Sequence, residues 1–288
     1  DFIIKDINKD KLYDFLRDME FNRLLSQAIS FYGEPGSKDF NEKNPVKKNN
    51  KINIKTYKTI FKEKQLDELV KKLNEKSFIA VDTETSSLNP QEADLVGVSL
   101  CYEANQAFYI PVGHTEKTEL KKDVVLSKLK PILEDPSIKK VGQNIKYDFI
   151  IFKNHGIELS SIEDTMLLSY TLDAGNNRHN MDTLSELHLG HKTISYKELV
   201  GTGKKQLNFS EVDLKSATEY AAEDADITLR LYEILSERVS KEKLEKVYEE
   251  FEKPMIKILS KLESNGVKVD DAYLKKLSKK FEERLITI

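Results

Sequence analysis

Acidic side chains at the ends of apolar segments are the residues of this chain best suited to chemistry. Asp82 and Glu84 follow the apolar run 78–81, Asp148 ends Val141-Gly-Gln-Asn-Ile-Lys-Tyr-Asp148, and Asp224 ends Tyr220-Ala-Ala-Glu-Asp224. An unpaired carboxylate is costly to bury, and a divalent cation is its natural counter-charge. These residue types therefore predict a magnesium site that hydrolyses phosphodiesters.

Spacing within two of these segments places the acids on shared faces. Asp82 and Glu84 are two residues apart, so a β-strand points both side chains to the same side. Tyr220 and Asp224 are four residues apart, so an α-helix brings them onto one face. If that strand packs against that helix, three carboxylates and a phenol hydroxyl converge, which is the arrangement that a hydrolytic metal site requires.

The elements that must position these residues follow from the periodicity of the apolar side chains. Alternation predicts strands at about 78–82, 94–102, 106–112 and 138–141. Helical spacing predicts helices at about 1–35, 65–75, 124–133, 163–174, 181–189, 215–239 and 248–265, with others beginning near 144 and after 270. This order of strands and helices predicts an α/β fold in which helices cover a mixed sheet.

Composition narrows the class of protein. The 288 residues carry a net charge of −3 and are 39% hydrophobic and 33% charged, without an apolar run long enough to cross a bilayer. The single cysteine excludes an internal disulfide framework and a cysteine zinc cluster. We expect a globular protein of the reducing cytoplasm, without a membrane partner. The stretch from about 37 to 55, rich in Lys and Asn, predicts an exposed linker.

The three acidic segments resemble the Exo I, Exo II and Exo III motifs of the proofreading exonuclease domain of bacterial family A DNA polymerases, the polymerase I group. This domain belongs to the DEDDy exonuclease superfamily, which is named for four acids and a tyrosine. The resemblance covers roughly residues 60–240, where the order, spacing and flanking residues of the motifs agree. It implies a ribonuclease H-like fold and a 3′–5′ exonuclease that hydrolyses the terminal phosphodiester of DNA and releases nucleoside 5′-monophosphates.

The sequence on either side of the motifs extends the resemblance. Phe15-Leu-Arg-Asp-Met-Glu-Phe21 resembles the segment before the proofreading domain of these polymerases, and Glu263-Ser-Asn-Gly-Val267 resembles the first helices of their polymerase domain. The implied division is an amino-terminal helical segment and linker at 1–55, an exonuclease domain at 56–240, and the helical start of a truncated polymerase domain at 241–288. Polymerase activity itself is expected to be absent from these residues.

The resemblance also implies roles for the matching acids and the tyrosine. Asp82, Glu84 and Asp224 would hold one divalent cation, Asp82 would bridge to a second, and Asp148 would reach the second through water. Two magnesium ions are expected, with manganese or zinc as alternatives. Tyr220 would orient the attacking water, since an unperturbed tyrosine has a pKa of about 10 and is better suited to hydrogen bonding than to removing a proton.

Other matching positions concern the substrate, which the resemblance implies to be DNA with a single-stranded or frayed 3′ end. Leu88 corresponds to a leucine that wedges against the terminal bases, and Tyr196 to an aromatic residue, often Phe, near the frayed strand. Stacking on such a ring tolerates any base sequence, as proofreading requires. The remaining positions that the family uses near the scissile strand are Gln143, Asn144, Tyr147 and Arg178.

Two other interpretations remain open from the sequence. Ribonuclease D and related RNA-trimming enzymes use the same acids and tyrosine, so the substrate could be RNA. A catalytically silent scaffold that binds DNA or braces a polymerase is a second alternative, against which the intact acids argue. The loop Gly201-Thr-Gly-Lys-Lys205 is basic but lacks the spacing of a phosphate-binding P-loop. The five histidines have no zinc-like spacing and are expected to be surface or capping residues.

Overall fold

A computed structural model of the protein describes residues 7–19, 21–32, 51–116, 118–203 and 206–287. Most of the predicted linker, residues 37–50, lies outside the described ranges, as do Lys204 and Lys205 of the basic loop. None of the helices in the described ranges combines the length and the apolar character that a membrane span needs.

A six-stranded sheet in the order β1-β4-β3-β2-β5-β6 organises the chain. Its strands are β1 (Lys58–Thr59), β2 (Phe78–Thr85), β3 (Leu95–Glu103), β4 (Gln106–Pro111), β5 (Lys139–Gly142) and β6 (Ile162–Asp164). The central strand β2 pairs antiparallel with β3 and parallel with β5. The mixed sheet predicted from the sequence is therefore confirmed. Because β2 and β5 run in parallel, their carboxyl ends meet at one edge of the sheet.

Helices cover both faces of this sheet and extend beyond it at each end of the chain. They are α1 (Lys9–Asp18), α2 (Asn22–Tyr32), α3 (Glu63–Leu73), α4 (Lys122–Glu134), α5 (Lys146–Asn154), α6 (Thr165–Asp173), α7 (Met181–Leu189), α8 (Tyr196–Val200), α9 (Leu214–Lys241), α10 (Glu245–Val247), α11 (Lys253–Asn265) and α12 (Asp271–Thr287). A π-helical turn, Tyr248–Glu252, joins α10 to α11.

Alternation along β2 assigns the two faces of the sheet. Ile79 and Val81 belong to the core on one face, together with apolar side chains of α3, α4 and α5. Ala80 points to the other face and packs against Ala222 and Ala225 of α9. These three small side chains let the helix approach the strand closely. Asp82 and Glu84 continue the Ala80 side of the strand, so they emerge on the face that α9 covers.

The structure refines two of the predicted helical segments. The segment predicted to be helical over 1–35 contains α1 and α2, which pack against each other through buried Tyr13, Leu16 and Ala28, while residues 1–6, 20 and 33–35 lie outside the described ranges. The helix predicted from about 163 begins at Thr165, because the three residues before it form the strand β6. A three-residue strand is too short for apolar alternation to show. The side chain of Asp164 then caps α6 by accepting hydrogen bonds from the amides of Met166 and Leu167.

Candidate active site

Three carboxylates converge where the end of β2 meets α9. One side-chain oxygen each of Asp82, Glu84 and Asp224 lies within 4.8 Å of the other two. Glu84 is buried, while Asp82 and Asp224 are half-buried. The hydroxyl of Ser99, opposite Asp82 on β3, donates to the Asp82 carboxylate at 3.4 Å. Strand spacing delivers the first two acids, and the packing of α9 on that strand delivers the third.

Asp148 approaches the same strand end from the opposite face of the sheet. It lies in the first turn of α5, where the helix dipole favours a negative charge. Its carboxylate accepts a hydrogen bond from the hydroxyl of Thr83 at 2.5 Å, and Thr83 points to the α5 face because it alternates with Asp82 and Glu84. Asp148 therefore lies beside the group of three acids without joining it.

The four acids oppose one another electrostatically. Burial raises the pKa of Asp82 from 3.8 to about 6, although hydrogen bonds from Ser99 and the backbone of Thr83 oppose that shift. Burial, followed by the charges of Asp82, Asp224 and Asp148, raises the pKa of Glu84 well above its usual range. The pKa values of Asp148 and Asp224 are also raised by burial and then by the charge of Asp82. A cation at this position would relieve the repulsion.

The donor set matches a hard divalent cation. Carboxylate oxygens are the ligands that magnesium and manganese prefer, whereas structural zinc sites draw on cysteine and histidine. The acids that converge here offer only oxygen, and Cys101 lies buried in the sheet beside Asp226. Asp82, Glu84 and Asp224 have the spacing to share one ion, and Asp148 is close enough for its charge to act on Asp82 and Glu84.

Tyr220 lies one helical turn before Asp224 on α9. Burial, followed by the negative charges of Asp224 and Glu84, raises the pKa of its hydroxyl above the ordinary value of 10. The phenol therefore stays protonated at neutral pH and can donate a hydrogen bond but not remove a proton. Its ring contacts Phe209 and Tyr196, each with a centroid distance of 6.0 Å. This packing fixes the direction in which the hydroxyl points.

The rim of the site carries Leu88 on the loop that follows β2. The Leu88 side chain is 93% exposed, so it has no part in the core. The hydroxyl of Tyr147 holds the loop by donating to the carbonyl of Ser87 at 2.5 Å, and it also contacts the hydroxyl of Thr85. The amide of Asn208 donates to the carbonyl of Ser86 at 2.9 Å. An exposed leucine on a tethered loop is suited to contact a ligand rather than to stabilise the fold.

A second part of the rim is aromatic. Tyr196 is the first residue of α8 and remains 39% exposed. Its ring stacks on Phe209 with an interplanar angle of 5° and meets the ring of Tyr220 at 62°. Tyr196 therefore presents a ring that is supported from within the protein and open to solvent, next to the acids.

The side-chain amide of Gln143 is committed within the protein. Its nitrogen donates to the carbonyl of His179 at 2.7 Å, and its oxygen accepts a hydrogen bond from the hydroxyl of Thr165. Arg178, which precedes His179, is exposed. Gln143 thus connects the segment after β5 to the loop that carries Arg178, and the structure shows no amide group of Gln143 directed into solvent.

Asp164 is a positioning residue that the sequence did not reveal. Its carboxylate caps α6 and also accepts hydrogen bonds from the amides of Asn144 and Ile145, at 3.1 and 3.0 Å. Asn144 is exposed and has a φ of 62°, a left-handed conformation that asparagine tolerates better than most residues. Asp164 therefore fixes the turn from which α5 and Asp148 begin. The signal in the sequence that could have identified it is its residue type, because an acid just before a helix is a common capping residue.

One of the five histidines corrects the sequence expectation. His188 is buried, at 6% exposure, and is therefore not a surface residue. His191 makes a hydrogen bond to the carboxylate of Glu223, the buried acid next to Asp224. The sequence did not predict that Ser99, Glu223 and Tyr109 lie near the site either. The charges of Glu84 and Asp82 add to burial in raising the pKa of Tyr109, which shows that its hydroxyl lies close to the site.

The arrangement of strands and helices is shared with solved structures. Brucella melitensis NrnC superposes with a TM-score of 0.52 at 21% identity, covering 72% of this chain and 90% of that one. Trypanosoma brucei RNase D gives 0.53 at 20% identity, covering 66% and 71%. The POL domain of Pol1 from M. smegmatis gives 0.62 at 17% identity, covering 78% and 35%. These likenesses confirm the ribonuclease H-like α/β fold.

Sequence comparison gives the family. Residues 57–240 match the family model for the 3′-5′ exonuclease of DNA polymerase A, and the chain belongs to this family of hydrolases. DNA polymerase I of Rhizobium leguminosarum is 41% identical over 233 residues, which cover 74% of this chain and 23% of that protein. DNA polymerase I of Pseudomonas aeruginosa is 36% identical over 300 residues, covering 98% and 32%. The chain thus spans a third or less of the length of these relatives.

Proposed function

We propose that this chain is the proofreading part of a DNA polymerase I and removes nucleoside 5′-monophosphates from the 3′ end of DNA. The observation that carries the proposal is the convergence of Asp82, Glu84 and Asp224 within 4.8 Å, inside the residues that match the exonuclease family. Raised pKa values at these acids support a cation as their partner. The similarity to two DNA polymerases I supports DNA as the substrate.

Each acid has a proposed part in holding two divalent cations, for which magnesium is the first choice. Asp82, Glu84 and Asp224 would hold one, Asp82 would also contribute to the second, and Asp148 would reach the second through water. When bound, such a pair activates a water molecule and stabilises the leaving 3′ oxygen. Tyr220 donates its hydroxyl proton in a hydrogen bond that orients the water, because its raised pKa keeps it protonated.

The exposed residues of the rim receive the strand. Leu88 wedges between the terminal bases, and the ring of Tyr196 stacks on a base of the frayed end. Arg178 and the exposed Asn144 contact the phosphates and sugars near the scissile bond. Gln143 and Tyr147 act on the strand through the loops that they fix, since their polar atoms bond to His179 and Ser87.

The domain division, the partner and the location are proposed from the similarity to DNA polymerases I. Residues 1–55 form a helical segment and linker, residues 56–240 the exonuclease domain, and residues 241–288 the start of a polymerase domain. The polymerase domain of the same full-length chain is the partner from which a mispaired 3′ end is delivered. The cytoplasm, where replication takes place in bacteria, is the proposed location.

A time course on 5′-labelled primers tests the proposal. Paired, mispaired and single-stranded 3′ ends are incubated with and without magnesium, and a ladder that shortens from the 3′ end is expected, fastest on unpaired ends. Asp82→Ala should leave no activity, while Asp271→Asn, which changes an exposed acid on α12, should behave as wild type. Faster cleavage of a matched RNA strand would replace DNA with RNA as the substrate. Absence of magnesium or manganese binding in a calorimetric titration would favour a silent scaffold.

A further inference from the structure

Glu223 is a buried carboxylate that the proposed chemistry does not use. It is 1% exposed and lies next to Asp224 on α9, outside the group of three converging acids. Its charge helps to raise the pKa of Asp224, so it adds to the repulsion within the site. A buried anion in such a position is unfavourable unless its hydrogen bonds compensate. Both of its oxygens do have strong partners.

These partners belong to the segment between α7 and α8, residues 190–195, which we call the α7–α8 loop. The ring nitrogen Nε2 of His191 lies 2.8 Å from one carboxylate oxygen of Glu223, and the amide of Ile194 donates to the other at 2.6 Å. Hydrogen bonds to a charged acceptor are about twice as strong as those between neutral groups. The α7–α8 loop is thus fixed at two points to the helix that carries Tyr220 and Asp224.

Two further contacts fix the other side of the α7–α8 loop. The hydroxyl of Ser185 donates to the carbonyl of His191 at 2.8 Å, and the hydroxyl of Thr193 donates to the carboxylate of Asp182 at 2.6 Å. Both partners lie on α7. The loop is therefore clamped between α7 and α9, and α8 begins two residues after Ile194, with Tyr196. The contacts of the α7–α8 loop therefore fix the backbone that leads directly into Tyr196.

We propose that His191 and Glu223 are positioning residues that fix the ring of Tyr196 for stacking on the unpaired 3′ end. This inference rests on the proposed function for its substrate but not for its geometry. Tyr196 is exposed, and its ring contacts those of Phe209 and Tyr220, so the backbone that places the ring against these two also determines where its exposed surface points. His191 and Glu223 determine that direction by fixing the α7–α8 loop, and they do so without touching the DNA strand.

Kinetics of a double-mutant cycle test the substrate part of the inference. His191→Ala should raise KM for a single-stranded oligodeoxynucleotide by about three- to tenfold, which is part of the effect of losing one stacked base. It should leave kcat unchanged and should change KM by less than about twofold for an oligodeoxynucleotide with abasic residues at its 3′ end, which has no base there to stack. In a Tyr196→Ala background, His191→Ala should have no further effect. His191→Gln, which keeps an N–H donor, should restore most of the affinity.

Fluorescence tests the geometry without any substrate. The chain contains no tryptophan, so Tyr196→Trp introduces a single tryptophan at the rim, which can be excited selectively at a wavelength where tyrosine does not absorb. Adding His191→Ala should lower the anisotropy of this emitter and raise its quenching by acrylamide about twofold, because the loop gains local motion. His155→Ala is the matched control, since that histidine bonds to the carbonyl of Ile151 at the far end of α5.

Three results separate the outcomes. Equal losses on the ordinary and the abasic oligodeoxynucleotide, or additive effects with Tyr196→Ala, would show that His191 does not act through Tyr196 and would overturn the inference. An unchanged tryptophan signal in the His191→Ala variant would overturn it as well. If wild type hydrolyses neither substrate but the tryptophan signal responds as expected, the proposed function fails while the positioning of residue 196 by His191 and Glu223 stands.

Discussion

Neutralising Asp82 without changing its shape separates the effect of its charge on stability from its role in hydrolysis. In the Asp82→Asn variant the side chain keeps its volume and can still accept a hydrogen bond from Ser99, but it carries no negative charge. Glu84, Asp148 and Asp224 are relieved as well, because the charge of Asp82 contributes to the raised pKa of each. We expect the free energy of unfolding of the metal-free protein to rise while magnesium-dependent hydrolysis falls to background.

The size of the effect follows from the pKa of Asp82. Burial raises that pKa from 3.8 to about 6, and one pKa unit corresponds to roughly 1.4 kcal/mol. The charged form therefore costs the folded protein on the order of 3 kcal/mol at pH 8. Solvent screens part of this cost because the side chain is only half-buried, so we expect a gain of about 1–2 kcal/mol in the variant.

The pH dependence has a definite sign. The pKa of Asp82 is higher in the folded than in the unfolded protein, so the stability that comes from binding the proton is complete below about pH 4. It is lost as the pH rises through about 6. The advantage of Asp82→Asn over wild type should thus be small at pH 4.5 and fully developed at pH 8.

The difference in stability between the variant and wild type can be measured by urea unfolding with a chelator present. Circular dichroism at pH 4.5, 6 and 8 monitors the unfolding. Asp226→Asn is the control, because Asp226 is a buried acid on α9 whose carboxylate is paired with Arg230 and accepts a hydrogen bond from Tyr57. Removing a paired charge should destabilise the protein at every pH. Added magnesium should stabilise wild type but not Asp82→Asn. A variant that is less stable than wild type at pH 8, or a gain that does not change with pH, would refute the reasoning.

Three further predictions follow from single contacts. Tyr220→Phe keeps the ring packing but removes the hydroxyl, so kcat on single-stranded DNA should fall by about 10- to 100-fold, and an unchanged kcat would contradict the role of that hydroxyl. Asp164→Ala removes the acceptor for the amides of Asn144 and Ile145, so unfolding experiments should show a loss of about 2–4 kcal/mol; an equal melting temperature would show that the cap is dispensable. Leu88→Ala should leave the free energy of unfolding within about 0.5 kcal/mol but slow hydrolysis of paired more than of single-stranded ends, and a clear drop in stability would assign Leu88 to the core instead.

The site brings together groups that local folding alone would keep apart. Burial makes each carboxylate unfavourable in its charged form, and the small side chains of Ala80, Ala222 and Ala225 bring the strand and the helix close enough for the acids to meet. The cost is offset by the core on both faces of the sheet. A folded protein that retains such repulsion in its metal-free state has a site arranged for a cation.

Local patterns in the sequence were enough to predict the type of sheet and the shared faces of the site residues. The spacing of two between Asp82 and Glu84 and of four between Tyr220 and Asp224 set their faces, because strand and helix periods are properties of neighbouring residues. The apolar alternation around them likewise predicted the mixed sheet. The break between α1 and α2 was missed because apolar residues at helical spacing lie on both sides of it. The three-residue strand β6 was missed because so short an element carries too few residues for a period to appear.

Only the tertiary structure decided that Asp148 reaches the site from the other face of the sheet, and which residues support the acids. Asp148 meets Thr83 from the side opposite to Asp82, and Glu223 meets His191 across 32 positions of the chain. Asp164 caps α6 and also holds Asn144, which lies 20 positions earlier in the turn before α5. Local periodicity cannot predict such pairs, because they form only when the core brings strands and helices together. The hydrophobic packing of the core determines the distances between elements. It does not depend on which polar residues those distances bring into contact.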